Sequence, residues 1–422
     1  MTADAQGLAG FRPEVGIEAL NVYCGLAQIP VAAMFAGRGL NEERLGNLMM
    51  FERSLNLPCE DPVTNAVNAA KPIVDALDPA EKARIEILIT STESGIDYSK
   101  SVASYVHDHL GLSRNCRVIE AKQACYAATG AVQMGAAYVA SGMSPGAKVL
   151  VIATDVSLVD KHVGYTEPVM GAGAAAVLVS DRPRILTLDL GAFGNYAFET
   201  LDSARPSPTF DIADVDGSLF AYLDCLKHAF LAYRERVDGA DFAATFDYLA
   251  MHTPFAGIVK AGHRKMMREF SGADVPAIEQ DFTQRVLPSL QYGSRVGNLC
   301  SGAVYLALAS IIDTVRPASG HRVGLYSYGS GCCSEFFSGT IGQDSTDALA
   351  PMQIGQHLAA RRALTFAEYE PLLQETLTCL VPQKDRDVDL ARWASILDAR
   401  PAGRSLLALK GVRNYHREYQ WV

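Results

Sequence analysis

The chain has 422 residues, of which 49% are hydrophobic and 20% are charged, so it predicts a globular protein with room for two or three domain-sized units. Its 37 lysines and arginines and 47 aspartates and glutamates give a formal net charge of −10, which argues against a general nucleic-acid binder. The first residues lack a basic-then-apolar leader, and no apolar run reaches the roughly 18 residues of a membrane helix. These patterns predict a cytoplasmic protein with no membrane association.

The cysteines point to the same reducing compartment. The chain contains nine, an odd number. Their spacing is irregular and includes no CxxC pair. The pattern therefore predicts reduced thiols rather than a disulfide framework or a zinc site.

Short apolar runs alternate with helical stretches along the whole chain. Two alanine-rich stretches, 130–140 and 302–312, predict buried helices. The alternation favours an α/β fold with largely buried strands. The predicted strands are 85–90, 117–121, 148–153, 174–180, 248–251 and 322–326.

The order of these elements recurs loosely in the two halves of the chain. A helix that begins with Gly-Ala-Val at Gly130 leads to a strand and a glycine-rich turn, and a helix at Gly302 does the same. Chance recurrence is the alternative, since any α/β protein can repeat such units. A duplication would divide the chain into halves 1–182 and 183–422, with the active site between them.

Two segments look like additions to this core. Residues 195–216 contain prolines and several acidic side chains, which is typical of a long loop or flap. The tail from about Asp344 is polar and helical in composition and ends in a basic and aromatic run. It predicts a packed C-terminal helix and a final strand.

The stretch from Glu120 to Gly130 predicts a strand that passes through a tight elbow into a helix, with Cys125 at the elbow. The free N–H groups and the positive end of the helix dipole favour a thiolate there. Such a thiolate would be a nucleophile for an acyl group. A buried cysteine packed at a helix start explains this segment equally well.

Two further titratable residues follow predicted strands. Glu93 comes after strand 85–90, at the kind of strand end where α/β folds keep catalytic groups, although a solvated carboxylate is the simpler interpretation. His252 ends strand 248–251 just before Pro254, and a single histidine there is more often a core residue. Cys125, His252 and Glu93 together supply the parts needed for acyl transfer through a thioester.

Two glycine-bearing segments could complete such a site. The glycines around Ser330 let a backbone N–H approach a ligand, and with the N–H of Cys125 this would form an oxyanion hole. Asn298 opens the second buried helix. Its amide could hold a carbonyl or simply cap the helix.

A cationic cluster follows His252 in this acidic chain. A solvated helix face is the default interpretation, and a phosphate or an acidic partner is the sharper one. The members of the cluster are Lys260, His263, Arg264, Lys265 and Arg268.

Taken in order, these segments resemble the 3-hydroxy-3-methylglutaryl-CoA synthase family of the thiolase-like superfamily. The resemblance spans about residues 15–335. The matching segments are Val15-Gly-Ile-Glu18, Asn68-Ala-Ala70, Thr92-Glu-Ser-Gly-Ile-Asp-Tyr-Ser-Lys-Ser101, Gln123-Ala-Cys-Tyr-Ala127, Ala153-Thr-Asp155, His252-Thr-Pro-Phe255, Val296-Gly-Asn298 and Tyr328-Gly-Ser-Gly331.

The resemblance implies duplicated halves in a five-layered α-β-α-β-α fold and a homodimer. It implies that Cys125 is the acylated nucleophile, that Glu93 is the general base and acid, and that His252 polarises the acceptor ketone. Four further positions would lie at or near the acyl site. These are Asn298, Ser330, Asp155 and Asp202.

A finer resemblance is to the branch of the family found in polyketide β-branching. It rests on three segments: Glu60-Asp-Pro-Val63, Ala66-Val-Asn-Ala-Ala-Lys-Pro72 and Thr253-Pro-Phe-Ala-Gly-Ile-Val-Lys-Ala-Gly-His-Arg264. It implies acyl carrier proteins as partners, whose acidic surface and phosphopantetheine phosphate would suit the cluster at 260–268. Arg38 and Arg44 are further candidates for a basic rim.

The resemblance thus implies an aldol-type acyltransferase that condenses an acetyl group on Cys125 with a β-ketoacyl thioester. No metal or redox cofactor is expected, because the thioester supplies the activation. A mevalonate-pathway enzyme using acetyl-CoA and acetoacetyl-CoA is the first alternative. A decarboxylating ketosynthase and a non-catalytic carrier-binding scaffold are the others, and the sequence leaves acetyl or propionyl open as the donor group.

Overall fold

A computed structural model describes residues 14–157, 164–398 and 404–422. In these ranges the strands are β1 Gly16–Tyr23, β2 Ala27–Pro30, β3 Glu52–Leu55, β4 Ile85–Ser91, β5 Arg117–Ala121, β6 Lys148–Asp155, β7 Gly173–Ser180, β8 Leu186–Ala197, β9 Ser203–Ser207, β10 Phe210–Ala213, β11 Tyr248–Met251, β12 Arg322–Gly329, β13 Cys333–Ile341, β14 Arg362–Ala363, β15 Arg386–Asp387, β16 Leu407–Arg413 and β17 His416–Trp421. The α-helices there are α1 Val31–Arg38, α2 Leu45–Leu48, α3 Pro62–Asp75, α4 Pro79–Ala83, α5 Val102–His109, α6 Ala127–Ala140, α7 Val215–Arg236, α8 Ala256–Ser271, α9 Val275–Asp281, α10 Leu287–Val296, α11 Ala303–Val315, α12 Ser345–Leu349, α13 Ile354–Ala360, α14 Phe366–Thr376 and α15 Ala394–Asp398.

The main sheet repeats one strand order in its two halves. Its order is β11-β12-β13-β8-β1-β7-β6-β4-β5, so β1-β7-β6-β4 in the first half corresponds to β8-β13-β12-β11 in the second. In each run the first two pairings are antiparallel and the last is parallel. The halves meet where β1 pairs with β8. The predicted duplication is therefore visible in the topology.

Helices cover and separate the two halves of the sheet. On the first half, α3 packs against β1, β6 and β7, while α6 packs against β4, β6 and β7. Helix α11 contacts strands of both halves, and α7 covers β8 and β13. This gives the five layers of a thiolase-like α/β fold, with α6 and α11 in the middle.

The composition of the strands and helices explains these positions. All residues of β6 and β7 are buried, as expected for strands with helices on both faces. The middle helices are rich in small residues, which lets them approach the sheets closely. Helix α3 begins at a capping box in which Asp61 and Thr64 bond reciprocally.

The predicted bounds agree with the structure to within a few residues. The exceptions are the two added segments. Residues 195–216 were expected to be a loop or flap, but they hold the end of β8, the hairpin β9–β10 and the start of α7. The tail ends in the predicted final strand, β17, but it contains several short helices rather than one, and β17 forms a hairpin with β16.

The C-terminal hairpin packs back onto the first half of the chain. Asn68 on α3 exchanges two hydrogen bonds with the backbone of Leu407, at 2.7 and 3.1 Å. The buried Arg417 pairs with Asp61 at 2.7 Å. The predicted boundary between residues 182 and 183 lies between β7 and β8, but the division into two domains stays a prediction because the halves share one sheet.

Across 14–157, 164–398 and 404–422, none of the helices combines the length and the apolar character needed to cross a membrane.

Candidate active site

Three strand ends bring Glu93, Cys125 and His252 to one cavity of about 1580 Å³. Glu93 follows β4, Cys125 follows the neighbouring parallel strand β5, and His252 follows β11 in the other half. Because β11 occupies in its half the place that β4 has in the first, the duplication itself sets Glu93 and His252 in related positions. Asn298 and Ser330 line the same cavity.

The elbow at Cys125 is a strained turn held against the Tyr328–Gly331 loop. Ala124 has a left-handed φ of 42°, which costs a non-glycine residue about 1 kcal/mol. A Cβ on Gly329 would lie only 2.6 Å from both Gln123 O and Tyr126 N. Only glycine allows this close approach, which brings Ser330 to the cavity wall beside the elbow.

The Cys125 thiol donates a hydrogen bond of 2.9 Å from Sγ to Oε1 of Glu93. A hydrogen bond with Cys300 lowers the pKa of Cys125, but burial and the negative charge of Glu93 outweigh it and raise the pKa to about 12. The prediction that the helix start would favour a thiolate is therefore wrong for this arrangement. A carboxylate in direct contact outweighs the partial charge of a helix end, so the resting group is a thiol.

Asp155 lies behind Glu93 rather than on the cavity wall. Its buried carboxylate accepts hydrogen bonds from the Glu93 backbone N–H at 2.8 Å and from Ser94 Oγ at 2.9 Å. Burial and the charge of Glu93 raise the pKa of Asp155 to about 7, although Arg205 opposes this. Arg205 also donates to the Glu93 carbonyl at 3.0 Å. Asp155 and Arg205 thus fix the backbone that carries Glu93.

His252 is buried and enters the cavity as a neutral imidazole. Its backbone N–H bonds to Tyr326 O at 2.7 Å, and its carbonyl accepts from Tyr222 Oη at 2.9 Å. Within the described residues its Nδ1 has no hydrogen-bond partner. Burial lowers the pKa of His252 to about 3, so near neutral pH the ring can donate a hydrogen bond through one nitrogen but carries no charge.

Asp202 supports the glycine loop from behind the cavity wall. Its buried carboxylate accepts from Tyr328 Oη at 2.5 Å and from the Gly331 backbone N–H at 2.9 Å. These bonds commit Gly331 N–H to Asp202. Within the loop, Tyr328 and Ser330 line the cavity.

Asn298 uses one end of its side chain within the fold. Its Oδ1 accepts from the backbone N–H of Cys300 at 3.0 Å, and its own backbone pairs with Val169 and Gly171. The alternative interpretation of Asn298 as the cap of the buried helix is wrong, because helix α11 begins at Ala303 and no side chain in the described ranges caps it. The bond to Cys300 instead closes a turn that begins at Asn298. Its NH₂ group is the part that a bound carbonyl could use.

Cys300 is a site residue that sequence reasoning missed. It is buried, lines the cavity and has a left-handed φ of 47°. The ligand atoms of Glu93, Cys125 and Cys300 all lie within 4.8 Å of one another. A hydrogen bond to Cys125, reinforced by burial, raises the pKa of Cys300, so Cys300 keeps its proton and can donate it to a Cys125 thiolate. Its only signal in the sequence was its place two residues after Asn298.

The cationic cluster on α8 lies away from the cavity. His263 is fully buried and pairs with Asp281 at 2.5 Å, so its predicted role as a carrier contact is wrong. Lys260 and Arg264 both pair with Glu279, while Lys265 donates to Leu223 O. None of the cluster lines the cavity. Carrier contact by Lys260, Arg264, Lys265 and the exposed Arg268 stays a prediction.

Other cations stand at the cavity instead. Lys100 and Lys122 are exposed and line it, as does Arg386. Arg38, which the sequence suggested for a basic rim, is paired with Glu167 at 2.8 Å. Of these exposed lysines, Lys100 lies on the loop after Glu93 and Lys122 on the elbow before Cys125.

The fold and the site together define a thiolase-like acyltransferase. The profile "Hydroxymethylglutaryl-coenzyme A synthase N terminal" matches residues 71–183, and its C-terminal counterpart matches residues 268–383. The chain belongs to the hydroxymethylglutaryl-CoA synthase family.

Relatives named for an ACP-linked and a CoA-linked synthase are similar over most of the chain. Polyketide biosynthesis 3-hydroxy-3-methylglutaryl-ACP synthase PksG of Bacillus subtilis is 45% identical over 96% of this chain and 99% of that protein. Hydroxymethylglutaryl-CoA synthase of Enterococcus faecalis is 32% identical over 89% of this chain and 94% of that protein. The crystal structure of the curacin biosynthetic pathway HMG synthase with apo donor-ACP has a TM-score of 0.93 and 45% identity, covering 97% of this chain and 100% of that one.

Proposed function

We propose that this enzyme is a 3-hydroxy-3-methylglutaryl synthase that takes acetyl groups from an acyl carrier protein and works on a polyketide β-ketoacyl thioester. Identity to the polyketide enzyme is 45%, against 32% to the enterococcal CoA enzyme, which supports the carrier-linked reaction. A solved structure of the curacin synthase contains an acetyl donor-ACP, and that synthase has 45% identity to this chain.

The first step is transfer of the acetyl group to Cys125. Glu93 accepts the thiol proton over the existing hydrogen bond as Sγ attacks the thioester carbonyl. The tetrahedral intermediate collapses, the donor's thiolate leaves, and it takes up the proton from Glu93. An acetyl-S-Cys125 thioester and a free carrier thiol result.

The second step forms a carbon–carbon bond. Glu93 removes a proton from the acetyl methyl group, and backbone N–H groups at Cys125 and Ser330 hold the enolate oxygen. The enolate carbon attacks the β-ketone of the acceptor thioester. Neutral His252 donates a hydrogen bond to the resulting alkoxide, and the proton held on Glu93 completes the tertiary alcohol.

The third step releases the product. Water attacks the thioester on Cys125, which frees the new carboxylate and returns the thiol. The 3-hydroxy-3-methylglutaryl group stays on the acceptor carrier through its own thioester. All protons are thus exchanged between Cys125, Glu93, substrate and water.

The hydrogen bond between Cys125 and Glu93 at 2.9 Å carries this proposal, because it places the nucleophile and the base together on one cavity wall. The test is intact-mass and peptide mass spectrometry after mixing the enzyme with an acetyl carrier protein. An acetyl adduct on Cys125 is expected, and it should be lost in Cys125→Ala. A modified residue elsewhere, or no adduct from any acetyl donor, would contradict the proposal.

The CoA-dependent reaction is the alternative that uses the same chemistry. The two differ only in what delivers the acetyl group. Rapid acetylation by acetyl-CoA with none from a panel of carrier proteins would establish the CoA enzyme. The proposal expects the carrier to be the better donor by at least about tenfold in kcat/KM, which is about 1.4 kcal/mol of added binding.

We also propose a homodimer that forms at the open edge of the main sheet. Strand β5 is the last strand of the sheet, and its Ile119 is 50% exposed. Met134 on the adjoining helix α6 is 58% exposed. Light scattering after size exclusion should give twice the chain mass, and Ile119→Lys should shift it towards the monomer.

A further inference from the structure

We propose that Glu93, Cys125 and Cys300 form an inhibitory binding site for a thiophilic divalent cation, with Zn²⁺ as the physiological candidate. One carboxylate oxygen and two sulfurs lie within 4.8 Å of one another. In zinc sites the ligand atoms stand about 2.0–2.3 Å from the metal, so they lie within about 4 Å of each other. Small side-chain adjustments would therefore close the three atoms around one ion.

The ligand types select for such an ion. Two thiolates and a carboxylate suit zinc or cadmium, whereas magnesium and calcium prefer oxygen ligands alone. The set also leaves one position of a tetrahedron open towards the cavity, where water or an incoming thiol could bind. The site thus has the ligand number of an open zinc site.

The surroundings fix two of the ligands before any ion arrives. The backbone of Glu93 is held by Asp155 at 2.8 Å, and the backbone N–H of Cys300 is held by Asn298 Oδ1 at 3.0 Å. The backbone of Cys300 is left-handed, and its sulfur lies within 4.8 Å of the Cys125 sulfur. The nearby Arg205 is paired with Asp211 at 2.6 Å.

The chemistry of binding is an exchange of protons for metal. Both thiols lose their protons as the two metal–sulfur bonds form, and the Glu93 carboxylate binds without further proton loss. The ion then occupies the nucleophile and the base together. Acyl transfer to Cys125 stops, and removal of the ion restores it, so the metal acts as a reversible inhibitor and takes no part in the condensation.

Cadmium is the direct probe of this site. The full-length enzyme, freed of metal with a chelator, is titrated with Cd²⁺ while thiolate-to-cadmium charge-transfer absorption in the ultraviolet is followed. One ion per chain is expected. The isosteric variant Cys300→Ser should bind at least about tenfold more weakly, since even indirect support of a ligand is worth 10–100-fold in affinity. Cys333→Ser, which removes a half-buried thiol outside the cluster, should bind as the parent does.

Zinc then links the site to acylation. At a Zn²⁺ concentration that blocks acetylation of Cys125 in the parent enzyme, Cys300→Ser should keep most of the acetylation rate that it has itself without zinc, and a chelator should restore the parent. Circular dichroism identifies any variant that fails to fold. Cys300→Ala provides a second variant that lacks the Cys300 thiol. Equal cadmium affinity in the parent and both Cys300 variants, or no binding at one equivalent, would overturn the proposal. Neither result depends on whether condensation with an acceptor occurs.

Discussion

The Cys125 thiol and the Glu93 carboxylate are joined directly, with 2.9 Å between Sγ and Oε1. Many thiol enzymes instead pair the nucleophile with a histidine, which stabilises a thiolate. Here the partner is an anion, so the thiol is kept protonated until a substrate arrives. The same carboxylate is then in place to act on the acetyl group that the sulfur carries.

Replacing Glu93 by Gln should slow acetylation of Cys125 and stop condensation, so that the acetyl-Cys125 that still forms accumulates. General bases contribute about 10²–10⁴-fold, so condensation should fall by that amount. The measurement is product formation from an acetoacetyl acceptor beside mass spectrometry of Cys125. Glu120→Gln, which alters another carboxylate of the cavity wall, is the matched control. Condensation at the parent rate in Glu93→Gln would instead favour a decarboxylating ketosynthase.

Removing the Cys300 thiol should make Cys125 harder to ionise. The hydrogen bond with Cys300 lowers the pKa of Cys125, so Cys300→Ala should raise that pKa. Loss of a hydrogen bond worth about 1 kcal/mol should make alkylation of Cys125 by iodoacetamide roughly fivefold slower at a fixed pH. Cys300→Ser keeps a hydrogen-bond donor, so its alkylation rate should lie between those of the parent and Cys300→Ala. An unchanged pH profile of alkylation in Cys300→Ala would show that the thiol has no such role.

Burial of His252 should destabilise the protein in acid. Its pKa is 6.5 when exposed and about 3 in the fold, so between these values the unfolded chain binds a proton that the folded chain does not. Stability should therefore fall as the pH drops from about 6.5 towards 3, by up to about 1.4 kcal/mol per pH unit. Urea unfolding across this pH range should show that the free energy of unfolding falls less steeply with decreasing pH in His252→Gln than in the parent. Identical slopes would mean that His252 is not buried as a neutral ring.

Lys122 should help to recruit the acyl donor. It is exposed and lines the cavity beside the elbow, whereas Arg268 is exposed on α8 and does not line it. Lys122→Glu should raise KM for the acetyl carrier several-fold, with a smaller effect at high salt because surface charges are then screened. Arg268→Glu makes the same charge reversal on α8, so comparing the two variants distinguishes the cavity rim from the α8 surface as the carrier contact. A larger KM effect from Arg268 than from Lys122 would support the carrier contact that the sequence predicted on α8.

The sequence was most informative where local pattern and chemistry coincide. Strand β5 and the elbow carrying Cys125 could be located from the apolar run and the small residues that follow, and Glu93 and His252 from their places after strands. Cys300 could not be found this way, because it looks like any buried cysteine until the fold sets it beside Cys125.

The prediction for His263 was wrong for a different reason. The apolar spacing of Val259, Met266 and Met267 already places position 263 on the buried face of α8. The fold adds its pairing with Asp281.

The electrostatics of Cys125 could not be predicted for a physical reason. The helix start is evident from the sequence and favours a thiolate, but the contact with Glu93 joins residues 32 positions apart. That contact and the burial of the site determine the sign of the pKa shift. Local sequence contains neither.

The most direct test of the central claim is a single-turnover experiment with a carrier-bound donor. Enzyme is mixed with carrier protein that bears acetyl labelled with ¹³C, and an acetoacetyl carrier is then added while both carriers and the Cys125 peptide are followed by mass spectrometry. We predict that the label moves first to Cys125 and then into a hydroxymethylglutaryl group on the acceptor carrier, with free donor carrier left behind. Label that reaches the acceptor without passing through Cys125, or that stays on Cys125 in the presence of acceptor, would contradict it.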